Sequence, residues 1–150
     1  MYLLRYNNEK LDKTAIIRYY NEKRKDEKMG DFHKHFELAK EKCEATITAY
    51  HNKQSTVVGD LGTKVVEQLV EADAARKGEH FGDHQSRHEY SNENFPAEIN
   101  QAMRKVWFAY GDLGYDGING KRAKAVVDNL KIIIEFFEKR FEVKINEEDA

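Results

Sequence analysis

The chain has 150 residues, with 25 Lys and Arg against 27 Asp and Glu and a formal net charge of -2. That length suits one domain (1–150) with a core of its own, and the near-balance of charge excludes a globally basic nucleic-acid binder. A single cysteine excludes an intramolecular disulfide and a cysteine-based zinc site, no apolar run is long enough to span a bilayer, and the expectation is a cytoplasmic protein.

Residues 1–8 are apolar and then polar, too short for a helix of their own, and read as a docking arm. Leu11, Ala15, Ile16, Tyr19 and Tyr20 mark one face of an amphipathic helix over about 11–25. Gly30 predicts a stop, and Asp31 a cap for a second helix. Phe32, Phe36, Ala39, Cys43, Ile47 and Tyr50 then step by four, three, four, four and three, a single stripe along a helix over about 31–53. His33 and His35 flank that stripe. Their i, i+2 spacing points them apart on a helix and predicts two surface residues rather than a metal pair.

Ser55 or Thr56 is the expected cap of the next helix, whose wide apolar face runs from Val57 and Val58 through Val65, Val66, Leu69 and Val70 to about Arg76. Gly59 and Gly62 inside it imply either a close helix–helix approach or a break within 53–62.

The segment from Arg76 to Tyr90 concentrates the chemistry. It holds His80, His84 and His88 four residues apart, Arg76 and Arg87, three acids, and two glycines, Gly78 and Gly82. On an unbroken helix the three histidines would share one face and could share a metal, but Gly82 works against continuity. A histidine can move protons near neutral pH and an arginine can stabilise phosphate charge, so His84, Arg87 and His88 are the catalytic candidates for metal-independent RNA cleavage. Arg76 and His80 are binding candidates beside them. The segment reads as the junction between two bundle helices.

Phe95-Pro96 opens another helix, with Ile99, Ala102, Met103, Val106, Trp107 and Tyr110 on its stripe. A glycine-rich loop over 111–120 is expected next; it is not a calcium loop, because the twelfth position counted from Asp112 is Ala123 rather than Glu. Asn119 is the expected cap of the last helix. Lys121 and Arg122 at that helix start, with its free amides, offer a candidate phosphate seat beside the alternative of ordinary capping, and Tyr115 in the loop is a separate binding candidate. The last helix turns Ala123, Val126, Leu130, Ile133, Phe137 and Phe141 inward, and 144–150 reads as a frayed acidic tail. No strand pattern of convincing length appears. The predicted fold is all-α, an antiparallel up-and-down bundle of four or five helices.

The stretch 57–141 resembles the HEPN superfamily. The resemblance is carried by His80 or His84, Phe95-Pro96, Trp107, Tyr115-Asp116 and the final helix opening Gly-Lys-Arg-Ala-Lys with Ala123. It implies a small α-bundle, often a dimer, that acts as a ribonuclease in toxin–antitoxin or defence systems, or as a non-catalytic partner or nucleotide binder. Active members of the superfamily carry Arg, four to six residues, then His. Here three residues separate Arg76 from His80 and seven separate it from His84, while Arg87 and Arg104 have no histidine at that distance. The expectation is therefore a non-catalytic module binding a protein partner, its own copy, RNA or a nucleotide, with no cofactor and no membrane contact. An atypical ribonuclease using His84, Arg87 and His88 is the first alternative, and a histidine-based metal-binding bundle the second.

Overall fold

In the computed structural model, residues 13–116 and 120–146 are described, with side-chain environments for 13–18, 31–109 and 121–146. Five helices form: α1 (Lys13–His51), α2 (Ser55–Ala75), α3 (His84–Asn94), α4 (Ala97–Asp116) and α5 (Gly120–Phe141). The described residues contain no strand, so the all-α bundle expected from periodicity is what forms. Among them, no helix is long and apolar enough to cross a membrane.

Helix α1 runs through Gly30 without a stop, merging two expected helices into one of 39 residues. An interior glycine costs only about 1 kcal/mol of helix propensity, and no proline lies nearby to break the ladder. The predicted stripe is otherwise intact: Phe32, Phe36, Ala39 and Cys43 are all buried. The chain turns at Lys53, which takes a positive φ of 58°, and α2 starts at Ser55 behind Gln54, whose side chain makes no capping bond.

Helix α2 is the centre of the bundle and touches all four other helices. Val58, Val65, Val66, Leu69 and Val70 are fully enclosed. Of the two readings of its glycines, close approach is the observed one at Gly62. A Cβ there would lie 2.5 Å from Val126 Cγ1 and 3.4 Å from Leu130 Cδ1, so α5 passes directly over that position. Farther along, Phe95, Phe136, Phe137 and Phe141 pack edge-on or tilted at 5.1–5.6 Å, with Phe32 of α1 against Phe141 at 5.0 Å.

Two ends differ from expectation. Helix α4 continues through Gly111 and Gly114 to Asp116, so most of the expected glycine loop is helical. At the C-terminus, Ile145 is 1% exposed and the Glu138 carboxylate accepts from its amide at 2.8 Å, which pins the start of the expected frayed tail. The expected docking arm 1–8, the Asn119 cap, the Tyr115 side chain and residues 147–150 lie outside the described residues.

Candidate binding site over the buried acids of α2

Three acids interrupt the apolar surface of α2: Glu67, Glu71 and Asp73, all at most 4% exposed. A helix apolar on nearly every side is enclosed on nearly every side, so its acids go inside with it. A buried carboxylate is tolerated only when paired. The segment 76–94 supplies most of the partners by folding back along α2.

Two glycines make the fold-back. Gly78 and Gly82 take φ of 76° and 75°, left-handed values that favour glycine. Asp83 then caps α3, its Oδ1 accepting from the Ser86 amide at 2.8 Å and its Oδ2 from the Ser86 hydroxyl at 2.9 Å. Those bonds hold the Asp83 carboxyl below the usual carboxylate range.

Glu71 anchors the loop. Its Oε1 accepts from the amides of Phe81 (3.2 Å) and Gly82 (3.3 Å), and Arg87 Nε stands 3.4 Å away. Its Oε2 lies 2.7 Å from His80 Nδ1. One turn earlier, Glu67 Oε1 is 3.5 Å from His84 Nδ1 and 3.9 Å from Arg87. Further along α2, Asp73 accepts from the Tyr90 hydroxyl at 2.7 Å and from Arg140 at 2.5 and 3.2 Å. Burial first, then the bond to Asp73, pushes the Tyr90 hydroxyl far above its ordinary value, so it remains a donor at any working pH. Arg140, held upward by Asp73, also lies over the Phe95 ring at 5.2 Å.

The three histidines of the segment therefore do not share one face. His80 sits in the loop on Glu71, His84 opens α3 beside Glu67, and His88 packs on the Trp107 ring at 4.0 Å. His84 and His88 do converge on one cleft of about 230 Å³, lined also by Asp60, Thr63, Lys64, Glu67 and Trp107. Three polar atoms of that lining are buried with no hydrogen-bond partner: Thr63 Oγ1, Glu67 Oε1 and Trp107 Nε1. Arg87 is 13% exposed and faces both Glu67 and Glu71. Arg76 reaches Asp73 at 3.9 Å, lies over Phe141 and donates to the Arg140 carbonyl at 3.4 Å, away from the cleft. At the start of α5, Arg122 stacks on Phe108 at 5.3 Å and Lys121 is exposed.

Comparison of this chain with protein-family models, curated proteins and solved structures returns no match.

Sequence reasoning missed two of its parts. His35, expected on the surface, is 8% exposed, bonded to Gln68 at 2.7 Å and stacked 5.5 Å from His80. Spacing against His33 could not reveal partners 33 and 45 residues away. The carboxylates of α2 were also overlooked, although acids inside an almost wholly apolar helix are a legible signal of buried pairing.

Burial, then the charges of His84 and Arg104, pushes His88 below its ordinary 6.5. A histidine lowered on folding costs nothing above its unfolded value, and the native state loses stability as pH falls from there through the folded value. The drop in melting temperature between about pH 7 and pH 5 is accordingly expected to be smaller in His88→Gln than in wild type. Calorimetry across that range checks it; parallel curves would remove His88 from the acid response.

Proposed function

We propose that this chain is a non-catalytic, HEPN-like module that binds a single base of a nucleotide or of single-stranded RNA in the cleft between α2, α3 and α4. The observation that carries the reading is the set of three buried atoms that make no hydrogen bond, Thr63 Oγ1, Trp107 Nε1 and Glu67 Oε1 (the last with ion-pair contacts only, at 3.5 and 3.9 Å), in one cleft beside two histidine rings. An unmade hydrogen bond at a buried group costs about 1–3 kcal/mol, so such groups call for a ligand that completes them. The set offers an acceptor (the carboxylate), a donor (the indole N–H) and a hydroxyl that can be either. A base edge carrying a ring or amino N–H beside a carbonyl matches it, and the rings of His88 and Trp107 offer faces for stacking. The cleft, at about 230 Å³, is small for a drug-sized ligand and suits one base.

Cleavage is less well supported. A phosphate needs an uncommitted cation, whereas Arg87 faces two buried carboxylates. Its separation from any histidine also departs from the Arg-to-His interval of active HEPN members.

Trp107 is the only tryptophan of the chain, so its fluorescence reports on the cleft. Titration with each of the four nucleoside monophosphates is expected to quench it with a preference for guanine, which pairs an N–H edge with a carbonyl. Glu67→Gln should weaken the preferred ligand by about tenfold, the loss of one charge-assisted bond. Absence of quenching by any nucleotide or short RNA at millimolar concentration sinks the reading. Self-association, implied by the HEPN resemblance, belongs to the same proposal and is read by light scattering of the same samples.

A further inference from the structure

The geometry points to a divalent transition-metal site, of the kind that takes zinc, formed by His35 of α1, Glu71 of α2 and His80 of the glycine-flanked loop. One ligand atom from each of the three lies within 4.8 Å of the others. Tetrahedral coordination with bonds of about 2.0–2.2 Å sets ligand atoms roughly 3.3 Å apart. The remaining closure falls to His80, whose side chain is 67% exposed on its loop.

Three features go beyond proximity. First, His35 Nδ1 lies 2.7 Å from Gln68 Oε1, a contact that orients the ring and, in the tautomer with the proton on Nδ1, leaves Nε2 as the ligand atom. Metal-bound histidines are oriented in this way, by a hydrogen bond from the nitrogen that does not bind. Second, the amides of Phe81 and Gly82 and the Arg87 guanidinium gather on Glu71 Oε1, so the carboxylate is held with Oε2 toward His80. Third, the 2.7 Å contact between His80 Nδ1 and Glu71 Oε2 is one a cation can enter by displacing the proton between them.

Lys64 pairs with Glu67 at 3.4 Å and Arg87 faces both Glu67 and Glu71, so the two acids are matched by two cations and the donor set alone selects the metal. Two imidazoles and one carboxylate select zinc, nickel, cobalt or copper over magnesium and calcium, which prefer all-oxygen shells. With three protein ligands and an exposed His80, the fourth position opens to solvent.

The site does not depend on the base-binding cleft, which uses neither His35 nor His80, and the two are tested separately. Metal-stripped full-length protein without a histidine tag would be titrated with zinc in a calorimeter, and with cobalt in the visible spectrum. One equivalent is expected to bind, with the cobalt bands of a four-coordinate site. His80→Ala removes an exposed loop ligand without touching the core and is expected to weaken binding by at least about 100-fold. Gln68→Leu keeps all three ligands and is expected to weaken it by about 10-fold through loss of the orienting bond. Circular dichroism verifies that each variant is folded. Absence of stoichiometric binding, or a zinc affinity unchanged in His80→Ala, overturns the proposal. Trp107 quenching by nucleotides in the stripped protein reads the cleft independently.

Discussion

Asp73→Ala is expected to destabilise the protein by about 3 kcal/mol, at the lower end of what removing one partner of a buried ion pair costs. Asp73 is 2% exposed and is the shared acceptor of the Tyr90 hydroxyl and the Arg140 guanidinium, residues 17 and 67 positions away. Truncation leaves a phenol in the core with no acceptor and a guanidinium pinned over Phe95 with no counter-charge. Partial exposure of Arg140, at 31%, lets water reach it and keeps the cost from the top of the range. A shift in melting temperature of roughly 10 °C is expected for a chain of this size. The double variant Asp73→Leu with Arg140→Met removes both charges and should recover part of the loss. Urea denaturation decides the matter; a single-variant cost under about 1 kcal/mol would show that the Asp73 junction holds little.

Glu71→Ala is the second large effect, expected at about 3 kcal/mol and concentrated in the loop. The carboxylate receives two backbone amides and faces Arg87, and its loss leaves these groups with no protein acceptor on that side. Glu71→Gln retains one oxygen for the amides and should cost roughly half as much. The distinguishing measurement is limited trypsinolysis, because Arg76 and Lys77 are exposed at the loop's entrance. Faster cutting there in Glu71→Ala than in wild type, at temperatures where the bundle is still folded, is the expected pattern. Equal rates would mean that the two glycines, not the carboxylate, set the loop.

The helices were legible because burial imposes a period. Phe32, Phe36, Ala39 and Cys43 announce α1's inward face, and Val126, Leu130, Ile133 and Phe137 that of α5. Breaks were less legible. Gly30, Gly111 and Gly114 look alike in sequence to Gly78 and Gly82, yet only the latter pair has positive φ. A lone glycine lowers helix propensity without forbidding helix, and what decides is whether packing on either side continues. The site was legible in part: His84, Arg87 and His88 do meet the α2 acids or the cleft. What sequence spacing could not supply was the other half, Glu67, Glu71, His35 and Trp107, since these arrive from helices whose relative rotation no local period encodes.

Helix α3 has only Tyr90 and Ser91 buried, too little apolar area to hold 11 residues against α2 by itself. Charge and hydrogen bonds hold it: Tyr90 to Asp73, Arg87 to Glu71, Lys77 to Asn94 at 2.6 Å, and Asn100 to the Ser91 carbonyl at 3.1 Å. Apart from the Asp73–Arg140 pair between α2 and α5, the other helices are joined mainly by hydrophobic area, which strengthens in kosmotropic salts and is indifferent to protons. The contacts of α3 weaken under both. Two parts of one small bundle thus answer to different properties of the solvent, and acid or ionic strength acts on the lid of the cleft more than on the apolar core beneath it.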